Sequence, residues 1–150
     1  MTLRVFLSYH NIAFGGIDLY EIIFYKDKNG EEPVLQYIEE LGRRSDKNSR
    51  IKFNKIQEYI QVLSEYGTQA GEPYIKHLDG EIWELRPIRE RVLFAAWMET
   101  EFILLHHFLK KTQKTPAREI EQAKRELEDF RERDRQAKRT EAEAENEKNN

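Results

Sequence analysis

Apolar residues recur along this chain in two rhythms. Tyr20-Glu21-Ile22-Ile23-Phe24-Tyr25-Lys26 is a short apolar run closed by the turn-like Asp27-Lys28-Asn29-Gly30, and it reads as a strand. Pro33 suits the first position of a helix in which Val34, Leu35, Ile38 and Leu41 follow at helical spacing before Gly42. Ser45/Asp46 offers a cap for a longer helix, with Phe53, Ile56, Ile60 and Leu63 on one face and Gly67 as its stop. The rhythm changes between Tyr74 and Thr112. Three apolar runs, EIWELRP, RVLFAAWM and FILLHHFLK, are separated by the charged turns Ile88-Arg89-Glu90 and Glu99-Thr100-Glu101, which predicts a three-stranded antiparallel meander. Thr115-Pro116 then provides a cap and first position for a last helix. Glu119 and Glu121 favour its positive end, and Ile120, Ala123, Leu127 and Phe130 share one face. This order predicts an α+β fold: an N-terminal strand, two helices, a three-stranded meander completing a small antiparallel sheet, and a C-terminal helix.

A length of 150 residues suits one domain with some polar excess. After Phe130 no large apolar side chain occurs, so residues 131–150 are expected as a polar helix extension or disordered tail. The compact domain is expected over residues 19–130. Residues 1–18 form an N-terminal extension that reads equally as an extra strand, a mobile arm or the product of an upstream start codon. Their Ser8, His10 and Asn11 interrupt the apolar run, so a signal peptide is not expected. No run approaches the roughly 18 apolar residues that span a bilayer. With no cysteine there is no disulfide, thiolate nucleophile or sulfur-ligated zinc, and a cytoplasmic location is expected.

Lys+Arg is 25 and Asp+Glu 28, so the net charge of −3 attracts neither nucleic acid nor an anionic membrane globally. Any basic site must be local. Centring the first hairpin between Ile88 and Arg89 puts Arg86 across from Arg91. Centring the second near Thr100 puts residue 108, 109 or 110 across from Arg91, with Lys110, Lys111 and Lys114 close behind. Two arginines and a lysine-rich loop thus converge at one end of the sheet. Like charges so close favour an anion between them, and bidentate Arg donors match a phosphate. A solvated rim paired to Glu84, Glu90 or Glu101 explains the spacing equally well. Strand alternation puts Glu84 on the face of Arg86. His106 and His107 point to opposite faces and make a poor metal pair; no metal is expected. One of them, or His77, suits proton transfer near neutral pH. Trp83, Phe94, Trp97 and Phe108 are expected in the core, with Phe108 at a strand end where exposure beside the lysines would suit a base.

Three segments carry a resemblance: His77-Leu78-Asp79-Gly80-Glu81-Ile82-Trp83-Glu84-Leu85-Arg86; Arg91-Val92-Leu93-Phe94; and Leu104 through Pro116, including Lys110-Lys111-Thr112-Gln113-Lys114-Thr115-Pro116, with Glu119-Ile120 following. Over about residues 20–130 the chain resembles the phage-derived, HigB-like branch of the RelE/ParE toxins of type II toxin–antitoxin systems. The resemblance implies ribosome-dependent cleavage of mRNA without metal or other cofactor, by attack of the ribose 2′-hydroxyl on the adjacent phosphate. It implies a HigA-like helix-turn-helix antitoxin as partner, besides ribosome and mRNA, and no membrane. Carried over residue by residue, Arg91 resembles the phosphate-stabilising arginine, Arg86 that of the preceding strand, and Lys110 and Lys111 the basic loop. Arg91 and Lys111 are then expected on the scissile phosphate, with Arg86 and Lys114 on its neighbours. Glu84 is the expected base, with His107 or His106 as acid; Phe108 and His77 are expected to touch RNA. The sequence departs from mRNA-cutting relatives in having Glu84 where some have lysines, and no tyrosine after Tyr74. A ParE-like toxin that binds DNA gyrase without cutting RNA is the alternative, and an inactive antitoxin-binding remnant is a third.

Overall fold

The computed structural model describes residues 20–150. In chain order these form β1 (Glu21–Phe24), α1 (Pro33–Arg43), α2 (Lys47–Tyr66), a 3-10 turn (Gly67–Ala70), β2 (Ile75–Asp79), β3 (Ile82–Leu85), β4 (Glu90–Trp97), β5 (Glu101–Leu109) and α3 (Ala117–Lys148). The expectations for residues 1–18 lie outside the described residues. Asp46 caps α2 by accepting the Ser49 N–H at 3.0 Å. Gly67 ends it at φ +61°, where a Cβ would stand 2.8 Å from the Tyr20 ring.

The sheet order is β1-β5-β4-β3-β2. The three meander strands are antiparallel as expected, but β1 lies parallel to β5, so the sheet is mixed. Two helices separate β1 from the meander, and such a crossover allows a parallel return that no hairpin permits. β2 is an additional edge strand, antiparallel to β3. Only Ile75 of β2 is buried, so its sequence carries little strand signal.

Helices cover both faces. On one, Val34, Ile38, Ile56, Ile60 and Leu63 of α1 and α2 pack on Leu85, Val92, Phe94 and Leu104. On the other, Ala123 and Leu127 of α3 pack on Ile82, Leu93, Ala95, Ile103 and Leu105. Each fully buried aliphatic side chain contributes about 1.5–3 kcal/mol, so these two layers hold the sheet between them. Phe94 is wholly buried, whereas Trp83, Trp97 and Phe108 are only partly so. Beyond Phe130, Arg131 still pairs with Glu81, and Arg133 binds Asp129 and the Lys26 carbonyl and lies over the Tyr25 ring. From Arg135 onward α3 is fully exposed. Among the described residues no helix is long and apolar enough to cross a membrane.

Candidate functional site

The strand pairing decides which side chains meet. Leu85 lies across from Val92, a register that sets Arg86 opposite Arg91; on the other side of β4, Arg91 faces Phe108. At this end of the sheet a cavity of about 290 Å³ opens. Glu84, Arg86 and Arg91 line it from the β3–β4 hairpin. Phe108, Lys110, Lys114 and Thr115 line it from the end of β5 and the loop beyond, and Lys76 and His77 from β2.

Glu84 is the organising carboxylate, only 2% exposed. Its Oε1 lies 3.4 Å from Arg86 Nε and 3.6 Å from Arg91 Nε, and its Oε2 accepts the Thr115 hydroxyl. Thr115 was expected to cap α3; its hydroxyl instead ties the basic loop to β3, and Pro116 stands at the helix start without a side-chain cap. Arg91 is itself buried, and its Nη1 donates to the Ile88 carbonyl at 3.0 Å and the Glu90 carbonyl at 2.8 Å. Burial pushes its guanidinium below the ordinary value; Glu84 opposes that push and the neighbouring Arg86 adds to it. Arginine stays charged through any such shift. Arg86 is more open, and its Nε has no hydrogen-bond partner despite the nearby carboxylate.

The lysines differ from the arginines in having no counter-charge among the described residues. Among the described residues no carboxylate lies within ion-pair distance of Lys76, Lys110, Lys111 or Lys114. Glu90 and Glu101, considered above as partners for a solvated rim, do not serve: Glu90 turns to the other face and pairs with His107 and Lys52. Five cations, Lys76, Arg86, Arg91, Lys110 and Lys114, therefore line one cavity with Glu84 as its lining carboxylate, and the exposed Glu72 adds only a 3.7 Å contact to Arg86 from outside the lining. Such an arrangement suits an anion of more than one charge.

Three expected members stand elsewhere. His107 is not beside Glu84. It lies on the α1 face, where its Nε2–H donates to Glu90 and its ring stacks on Tyr37 with centroids 3.8 Å apart. The reason is strand alternation: with Phe108 opposite Arg91, residue 107 must face away. Burial and the nearby Glu90 together raise the Tyr37 hydroxyl above its ordinary value. His106 lies under α3, bonded to Glu119, and does not line the cavity. Lys111 opens instead into adjoining shallow cavities, one shared with Ile88, Arg89 and Lys110. The histidine that does line the site is His77, whose Nε2–H donates to the Gly80 carbonyl at 2.8 Å and whose ring meets Trp83 edge-on. Lys76 escaped sequence reasoning because it sits on the unrecognised edge strand β2. Among the described residues no cluster of His, Asp and Glu is placed to hold a metal.

The family model described as "Phage derived protein Gp49-like (DUF891)" matches residues 39–128, which run from α1 into α3 and contain every residue lining this cavity. The chain belongs to the phage-derived Gp49-like family. That family is one of RelE/ParE-like toxins of toxin–antitoxin systems, often with ribonuclease activity, and membership implies an antitoxin partner in general. No curated protein matches the chain.

Proposed function

We propose that this chain is the toxin of a HigB-like type II toxin–antitoxin pair and cuts mRNA on the ribosome. Its main support is the cavity lined by five cations and one carboxylate, whose lysines have no carboxylate partner among the described residues. In the proposed reaction the ribose 2′-oxygen bonds to phosphorus, the 5′-oxygen leaves, and the proton lost by the first is returned to the second. A cyclic phosphate results, and no cofactor is required.

The costly moment is the phosphorane, which carries extra negative charge. Arg86 and Arg91 are the groups assigned to it, because a preorganised guanidinium acts there without reorganisation. Lys76, Lys110 and Lys114 hold the flanking backbone. Glu84, bound by two guanidiniums and a hydroxyl, is assigned as a positioning residue rather than the base. His77 takes the place proposed for His107, as the histidine that lines the cavity. Phe108 offers its ring as a base contact at the cavity wall. A HigA-like antitoxin would silence the toxin, in a cytoplasmic setting.

Purified ribosomes translating a defined mRNA, with 5′ ends mapped, test this reading. Wild type is expected to cut within the reading frame, and Arg86→Ala to lose about 10²–10³-fold in rate with its circular dichroism spectrum intact. No cuts by wild type, or full activity in Arg86→Ala, would sink it. One observation favours gyrase inhibition on the same fold: Glu84 and His107 do not assemble as an acid–base pair. A supercoiling assay with the same preparation separates the two.

A further inference from the structure

The turn joining β3 to β4 is built against its own backbone preference. Glu90 N–H donates to the Pro87 carbonyl at 2.9 Å, making Ile88 the first central residue of a tight turn, and Ile88 adopts φ +58°. Arg89, the second, is not among the residues with positive φ. Turns with positive φ at the first central position alone call for glycine there, and a β-branched residue at that φ is strained. Yet Ile88 is half exposed and its side chain fills no core.

What surrounds it is polar and cationic. Ile88, Arg89, Lys110, Lys111, Thr112 and Gln113 line a second cavity of about 290 Å³, which shares Lys110, Thr112 and Gln113 with the first. The Lys110 N–H donates to the Arg89 carbonyl at 2.8 Å, fastening the turn to the basic loop. Arg89, Lys110 and Lys111 have no carboxylate partner among the described residues. An apolar side chain held out among unpaired cations matches a nucleotide, with a hydrophobic base face and an anionic backbone, better than it matches an apolar protein groove.

We propose that this second cavity is a subsite for the nucleotide next to the scissile phosphate: Ile88 packs on its base, and Arg89 and Lys111 hold its phosphate. The assignment rests on the RNA-cutting reading above. It also gives Lys111 a place, since that side chain does not line the main cavity. The strained turn serves twice, because the same Ile88 presents its carbonyl to Arg91.

Glycine accepts φ +58° and removes the side chain, so Ile88→Gly separates fold from contact. The full-length protein is titrated with an uncleavable 2′-O-methyl RNA tetranucleotide, and with the same oligonucleotide lacking one base, while isoleucine methyl NMR signals are followed. Wild type is expected to bind with the Ile88 methyl shifting. Ile88→Gly is expected to melt at the same or higher temperature yet bind about five- to tenfold more weakly, and the abasic probe should not distinguish the two proteins. Ile88→Asn, which tolerates the same backbone, should behave likewise. Met98→Gly relaxes the same conformation in the β4–β5 turn and should leave binding unchanged. Equal binding by wild type and Ile88→Gly, no binding by wild type, or loss of antitoxin binding alone would overturn the subsite. If Ile88-dependent binding stands while wild type cuts nothing on ribosomes, the nuclease reading falls instead. If cleavage stands and Ile88→Gly cuts the same positions at the same rate, the subsite falls and the nuclease remains.

Discussion

Glu126 carries its carboxyl into the seam between α3 and the sheet, where Oε1 is buried without a hydrogen-bond partner and His106 Nδ1 lies 3.7 Å away, beyond bonding range. Burial pushes its pKa up to about 7; Gln122 and Arg125 oppose the push, and Asp129 and Asp27 add to it. Between the ordinary glutamate value near 4.5 and pH 7 the native state holds a proton that the unfolded chain has lost, so stability falls as pH rises through that window. The full effect is on the order of 3 kcal/mol. Glu126→Gln should therefore melt higher than wild type at pH 8 and show a flatter dependence of melting temperature between pH 5 and 8; parallel curves would refute the assignment. Glu90 behaves in the opposite sense. Its burial raises the pKa, but the hydrogen bond and charge of His107, with Tyr37 and Lys52, outweigh that and hold it below the usual carboxylate range. Its contribution is lost only as pH falls below the ordinary glutamate value, on the acid side of the Glu126 window, so the two do not overlap.

At the scale of elements, α3 divides into a working half and an exposed half. Ala123 and Leu127 seal one core layer, and Arg131 and Arg133 clip the helix to Glu81 and to the Lys26 carbonyl. Past Arg135 only exposed side chains remain. Deleting residues 137–150 should lower the helical circular dichroism signal yet move the melting temperature by less than about 2 °C, whereas ending the chain at 126 should unfold it. A large drop on the first deletion would show that the exposed half supports the fold. The same distinction explains what the sequence disclosed. Helices α1, α2 and the start of α3 were legible because each buries one stripe, and the hairpin register followed from turn symmetry. The parallel placement of β1 was not legible, since order within a sheet depends on crossover packing rather than local pattern. β2 was invisible because an edge strand with one buried residue shows no alternation. The face of His107 was decidable only once Phe108, rather than 109 or 110, was fixed opposite Arg91.

For the molecule as a whole, a net charge of −3 opposes approach to any polyanion, while the open end of the sheet gathers lysines that have no carboxylate partner among the described residues. If the proposed reading holds, affinity for RNA comes from local contacts, each releasing counterions from a phosphate, and not from the average field. That separates two sets of lysines. Lys110 and Lys114 line the cavity, whereas Lys138 sits on exposed α3 paired with Asp134. Ribosome-bound or single-stranded RNA affinity should decline with salt along a straight line on logarithmic axes. Lys110→Gln and Lys114→Gln should each flatten that slope by about 0.7, the value for one phosphate on a single strand. Lys138→Gln should leave it unchanged. Equal flattening by all three would mean that the cavity has no privileged role and that the chain meets RNA only through diffuse charge.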